Sequence, residues 1–164
     1  MIIAVVGNRQ GWTYEQVKKK LLELGVYKSD VIVSGGAEGV DTFAQMYAKE
    51  NGNELITLYP DPSKPSPERY FDRNKEIILR SDMVIAFDKG DKHSGTLNSI
   101  NYAKGSRKPM FIVHSDGSYE TIEPEKEKRF TISILSEKNV RERDILDVLR
   151  TELTDCHISV EEAQ

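Results

Sequence analysis

Ile2-Ile3-Ala4-Val5-Val6 is an apolar run without a charge or a polar break, and Gly7 closes it. The chain repeats the device. Val31-Ile32-Val33 leads into Ser34-Gly35-Gly36, and Met83-Val84-Ile85-Ala86-Phe87 leads towards Ser94-Gly95-Thr96. A strand that is apolar at every position, rather than at every second one, has to be covered on both faces. Covering both faces takes helices, and the stretches between these runs have helical spacing. Strands that alternate with helices in this way form a parallel sheet with right-handed crossovers. The expected fold is therefore α/β, a Rossmann-like open parallel sheet of about five strands flanked by helices.

The helix boundaries are written locally. Trp12-Thr13-Tyr14-Glu15-Gln16-Val17 holds a capping box from Thr13 to Gln16, and Trp12 can pack on Val17 as a hydrophobic staple. Leu21, Leu22 and Leu24 continue that helix's apolar face, and Gly25 is placed to end it. A second helix carries Val40, Phe43, Ala44, Tyr47 and Ala48 and stops at Gly52, with a strand expected at Leu55 to Tyr59. The four prolines between Pro60 and Pro67 demand an irregular loop, and Ser66-Pro67 opens a helix with proline at its first position and Ile77, Ile78 and Leu79 on its buried face. A further helix spans Gly95 to Lys104, before a strand at Pro109-Met110-Phe111-Ile112-Val113.

Beyond that strand the rhythm breaks. Residues 114–136 read as polar turns with one β-like run, Phe130 to Leu135. Asn139 and Glu142 form another capping box, and Ile145, Val148, Leu149 and Leu153 line one face of a last helix. The domain reading is thus a nucleotide-ligand domain over 1–113 and a C-terminal β/α extension over 114–164, packing on the core or on a partner subunit.

Charge and cysteine content narrow the function. Residues 1–113 hold sixteen basic against fourteen acidic residues, and residues 114–164 seven against thirteen, for a net charge of -4 over the chain. Binding a phosphodiester backbone without sequence preference needs a strongly basic surface, so nucleic acid is not the expected partner, whereas a small anion is easily accommodated. Cys156 is the only cysteine, which excludes an internal disulfide and fits a reducing, cytoplasmic setting. The N-terminal run is too short for a leader or a membrane span. His114 and His157 stand alone, and no metal-ligand spacing is present.

Ligands of open parallel sheets bind beyond the carboxyl ends of the strands, near the point where the strand order reverses. Three glycine-containing turns follow strands here: Gly7-Asn8-Arg9, Ser34-Gly35-Gly36-Ala37-Glu38-Gly39, and Ser94-Gly95-Thr96. Glycine lets backbone approach a phosphate closely, and the helix that follows directs free N–H groups and its dipole at the negative charge. Arg9 can add a bidentate fork. Asp41 can orient a ribose hydroxyl or serve as an acid/base carboxylate, or it can simply favour its helix's first turn through the dipole. Trp12 can staple its helix or stack on a base. Asp88, Asp91 and His93 make a polar loop in which a divalent cation could accompany a phosphate ligand, or a merely solvated segment.

Ser34-Gly35-Gly36-Ala37-Glu38-Gly39-Val40-Asp41 resembles the GGARGxD signature of the SLOG superfamily, whose members include DprA and the LOG phosphoribohydrolases. Arg73-Asn74, the strand at Met83, and Ser94-Gly95-Thr96 are similar to the downstream pattern of small YspA/YpsA-like members. The resemblance covers roughly residues 1–113 and lies in the ordered combination. It implies a nucleotide-type pocket to which Arg73 and Asn74 contribute, and a homodimer as in many relatives. Two departures matter. Glu38 stands where the signature commonly has arginine, and Ser99 stands where the LOG enzymes carry the glutamate that takes part in cleaving the N-glycosidic bond.

The expected ligand-binding set is therefore Gly7, Asn8, Arg9, Ser34, Gly35, Gly36, Ala37, Gly39, Asp41, Arg73, Asn74, Ser94, Gly95 and Thr96, with no metal site and no required cofactor. The leading reading is a module that binds or senses a nucleotide or nucleotide-derived small molecule. An enzyme acting on N-glycosidic or phosphate bonds, LOG- or deoxyribosyltransferase-like, with Asp41, Glu38 or Asp88 as carboxylate, is the alternative. DprA-like single-strand binding ranks third.

Overall fold

The computed structural model describes residues 1–92 and 94–124, within a unit that runs Met1–Pro124. His93, the run Phe130 to Leu135, the Asn139/Glu142 capping box and the helix bearing Ile145, Val148, Leu149 and Leu153 lie outside the described residues, as do Cys156 and His157.

The elements alternate as the apolar runs require: β1 (Ile2–Gly7), α1 (Tyr14–Glu23), β2 (Val31–Ser34), α2 (Val40–Asn51), β3 (Glu54–Thr57), α3 (Glu68–Arg80), β4 (Met83–Asp88), α4 (Gly95–Gly105), β5 (Met110–His114) and β6 (Tyr119–Ile122). They build one six-stranded sheet in the order β3-β2-β1-β4-β5-β6. The first five strands are parallel, and β6 pairs antiparallel with β5. The chain steps outwards from β1 to β3, then crosses back to place β4 on β1's other side. That reversal between β1 and β4 leaves a crevice at their carboxyl ends.

Alternate residues of each central strand feed two cores. Ile3, Val5, Ile32, Ile85 and Phe87 pack with α1 and α2, through Val17, Leu21, Val40 and Tyr47. Ala4, Val6, Val33, Val84 and Ala86 pack with α3 and α4, through Ile77, Ile78, Ile100 and Ala103. Burial on both faces is the reason these strands read as unbroken apolar runs.

Local signals set the helix ends. In α1 the Thr13 amide donates to Gln16 Oε1 at 2.9 Å and the Gln16 amide to Thr13 Oγ1 at 3.3 Å, a complete capping box. At its far end Val26 N–H donates to Leu21 O and Gly25 N–H to Leu22 O, a Schellman pair made possible by the positive φ of Gly25. Gly52 ends α2 in the left-handed conformation. Pro67 occupies the N-cap of α3 rather than its first turn.

Three expectations need correction. Leu22 and Leu79 are not core residues; they are 54% and 53% exposed, each one position off the face that buries Leu21 and Ile78. The third strand begins at Glu54 and ends at Thr57, since its register on β2 runs from Val31↔Glu54 to Ser34↔Thr57. The polar stretch after Val113 is not only turns. Gly117 with φ of 85° and Asp116, which accepts from the Ser118 amide at 2.8 Å, close a hairpin that adds β6 to the sheet edge. Lys20 of α1 reaches the hairpin, donating to Gly117 O at 2.8 Å with its ammonium 5.1 Å from the Tyr119 ring.

Candidate functional site

At the carboxyl ends of β1 and β4 lies a cleft of about 380 Å³. Gly7, Asn8 and Arg9 line it from the first turn, Ala37 and Asp41 from the second, Ser94, Gly95 and Thr96 from the third, and Arg73 and Asn74 from α3. The three turns that the sequence singles out, separated widely along the chain, therefore surround one space. A second hollow of about 340 Å³ is lined by Gly35, Gly36 and Glu38, and shares Arg9, Ala37, Tyr70 and Arg73 with the first. Ser34 and Gly39 line neither; Ser34 is fully buried with its hydroxyl 3.4 Å from Asp41 O, and Gly39 lies against the backbone of Arg9. Asp88 also lies outside both, accepting from the Gly90 amide at 3.1 Å.

The turns do not contribute alike. Asn8 wedges the crossover: its N–H donates to Phe87 O at 3.2 Å, its carbonyl accepts from Val40 N–H at 3.4 Å, and its Oδ1 accepts from Lys89 N–H at 2.9 Å. One residue thereby ties β1, β4 and α2 together. In the second turn the Ala37 amide donates at 3.2 Å to Asp41 Oδ2, so a negative group of the chain's own already occupies the concave side of that turn. A cradle of amides from all three turns around a single ligand anion thus loses the Asn8 and Ala37 members. Among the described residues, the N–H groups of Arg9, Gly95 and Thr96 have no protein acceptor, and all three residues line the crossover cleft.

Arg73 is the structural keystone of the second turn. Its guanidinium donates to Gly35 O and stands 3.8 Å from Asp41 Oδ2, with side chains only 8% and 9% exposed. The fit depends on glycine, since a Cβ at Gly35 would overlap the guanidinium. Arg73 Nε donates to Asn74 Oδ1 at 3.0 Å, and Asn74 Nδ2 to Gly95 O at 3.4 Å, which relays the position of the second turn to the start of α4. Ser94 caps α4, accepting from Leu97 N–H at 3.0 Å. Ser99 is buried, with its hydroxyl on Gly95 O at 3.1 Å.

Burial pushes the Asp41 carboxyl up to about 6, against the opposing pull of the Arg73 guanidinium and the backbone N–H groups of Ala37 and Gly35. The same burial lowers Arg73 from its ordinary value. Since Asp41 takes up its proton in the folded chain well above its ordinary 3.8, its contribution to stability grows as pH falls through 6 and is complete once pH is below 3.8. The charge beside the cleft vanishes over the same interval. Sulfate, a dianion whose own charge is constant there, should bind at least about tenfold more tightly at pH 5 than at pH 7.5, from roughly 1.7 kcal/mol for each of its unit charges ~10 Å from the carboxylate at an effective dielectric constant of ~20. Titrating sulfate by calorimetry across this range checks it, and Asp41→Asn should flatten the profile.

Several cleft residues carry no signal of their own in the sequence. Tyr70 lines both hollows, Lys89 and Gln10 the first, and Tyr59 and Pro60 the second. Tyr59-Pro60 could have been singled out by place, because it follows β3 as the glycine turns follow β1 and β2. Trp12 belongs to the core, edge-on to Phe87 with ring centroids 5.2 Å apart, and does not line the cleft. Among the described residues no group of three or more His, Cys, Asp or Glu is placed to hold a metal ion. No described helix is long and apolar enough to cross a membrane.

A six-stranded, mostly parallel sheet with its crevice at the β1/β4 reversal defines a Rossmann-like α/β fold. Among solved structures the chain is similar to DNA processing protein A (DprA) from Streptococcus pneumoniae, at 26% identity and a TM-score of 0.58, over 68% of this chain and 49% of that one. It spans about half the length of that protein. Neither a protein-family model nor a curated protein matches the sequence.

Proposed function

We propose that the protein binds a nucleotide or nucleotide-derived small molecule as a ligand-binding or sensing module, with the anionic group of the ligand in the crossover cleft. One observation carries the reading. Arg9 is exposed, makes no ion pair among the described residues, and lines the same cleft as the acceptorless amides of Gly95 and Thr96. A guanidinium beside backbone donors at a helix start is chemistry suited to phosphate. Within the SLOG superfamily, the Arg73-Asn74 pair and the Ser94-Gly95-Thr96 turn align the chain with the small YspA/YpsA-like members. No metal or cofactor of the protein's own is needed; a divalent cation enters only as the companion of a phosphorylated ligand.

Arg9→Ala removes a charge-assisted contact worth about 1.5–3 kcal/mol, so affinity for the best ligand of a nucleotide panel should fall roughly 10- to 100-fold by calorimetry. Thermal stability should hardly change, because the side chain is exposed. If nothing in the panel, ADP-ribose derivatives included, binds the wild-type chain, the proposal fails.

Asp41 supports a second reading. A carboxyl raised to about 6 and lining a cleft has the proton affinity of a general acid or base near neutral pH. Turnover of nucleoside monophosphates that disappears in a folded Asp41→Asn protein would establish an enzyme. Single-strand binding, the third reading, requires a gel-shift affinity that falls steeply between two salt concentrations.

A further inference from the structure

The second hollow is built from different chemistry. Its wall at Gly35 and Gly36 is backbone without side chains, and Tyr59 and Tyr70 line it beside Glu38. Gly36 has φ of 66°, and a Cβ there would lie 2.8 Å from Tyr59 Cε1 and 2.9 Å from Thr57 Cγ2. One edge of the Tyr59 ring therefore lies against the backbone of the turn. The residue is nevertheless 72% exposed. A tyrosine with one edge against the turn and the rest of its ring open offers a surface on which a flat partner can stack.

Glu38 decides what kind of partner. It is exposed and makes no ion pair among the described residues. A carboxylate accepts hydrogen bonds and repels phosphate. The side of the hollow at Glu38 and Tyr59, away from Arg9 and Arg73, is thus suited to a planar ring with N–H donors on its edge. The hollow opens beside the crossover cleft, with Arg9, Tyr70 and Arg73 common to both. Each hollow alone is near the lower end of small-molecule sites, which run from about 300 to 1,000 Å³, so a ligand of ordinary size would span the two.

We infer that the ligand is a nucleoside phosphate whose base lies in the Tyr59/Tyr70 hollow with its N–H edge on Glu38 and its phosphate in the crossover cleft, Arg9 standing at the junction. Guanine fits best, because its adjacent N1–H and N2–H groups make a fork to one carboxylate. This deepens the proposed function and rests on it.

Calorimetry with guanosine 5′-monophosphate, uridine 5′-monophosphate and ribose 5-phosphate separates the two ideas. Guanosine monophosphate should bind at least about tenfold more tightly than ribose 5-phosphate, the scale of one base stacked on an aromatic ring. Tyr59→Ala should abolish that advantage and leave ribose 5-phosphate binding unchanged. Glu38→Gln should bring the guanine and uracil nucleotides together. Equal binding of ribose 5-phosphate and guanosine monophosphate would overturn the base site while the anion site stands. Equal weakening of both ligands by Tyr59→Ala would also overturn it, since the tyrosine would then only support the turn. Absence of any binding would overturn both ideas at once.

Discussion

Arg73→Ala is expected to lower the free energy of unfolding by about 3 kcal/mol at pH 8, because removing one partner of a buried pair strands the other, at a typical cost of roughly 3–5 kcal/mol. The lower end applies since the cleft admits water to one side of the pair. Gly35 O loses its donor in the same step. For a chain of this size the change corresponds to a fall in Tm of roughly 10 °C. The loss should shrink at pH 5. Asp41, already pushed up to about 6 with Arg73 beside it, accepts a proton still more readily without that cation and then no longer carries a stranded charge. Denaturant titration at the two pH values checks both parts. A loss below about 1 kcal/mol at pH 8, or an equal loss at the two values, would mean that the pair does not hold the turn.

Gly39→Ala should be as damaging by a different route. Gly39 adopts φ of 79° and ψ of -128°, a region almost reserved for glycine, and a Cβ would stand 2.6 Å from Arg9 Cα. The obstacle is backbone, so no rotamer change relieves it. Strain of about 1–3 kcal/mol adds to the displacement of the first turn, and ligand affinity should fall with stability as Arg9 moves. Gly90 provides the control: its φ is 89°, but nothing lies within 4 Å of a Cβ there. Gly90→Ala should cost only the conformational term, about 1 kcal/mol. Equal destabilisation of the two variants in thermal unfolding would show that the close approach of the two turns carries no weight.

The sheet, the caps and the three turns were legible because each is set by neighbours in sequence. Apolar residues at every position of Ile2–Val6 and Met83–Phe87 announce strands covered on both sides, and Thr13 with Gln16 announces a helix start. What escaped depends on contacts between distant residues. The Arg73 guanidinium meets Asp41 and Gly35 only after α3 is docked, so its role as the support of a turn is not written in either segment. Asn8 reads as a ligand donor beside a glycine, yet most of its polar atoms bind β4 and α2. β6 is short, polar and on the edge, where a strand needs no apolar pattern; only Asp116-Gly117 hinted at the hairpin. Leu22 and Leu79 show that an apolar letter near a buried face does not place a residue on it.

The central claim is that the first and third turns jointly hold one anion. Amide-resolved NMR during titration with guanosine 5′-monophosphate measures this directly. The N–H resonances of Arg9, Gly95 and Thr96 should show the largest shifts and follow a single binding curve. If Arg9 titrates with a different constant from Gly95 and Thr96, or if the largest shifts fall away from these turns, the shared site does not exist.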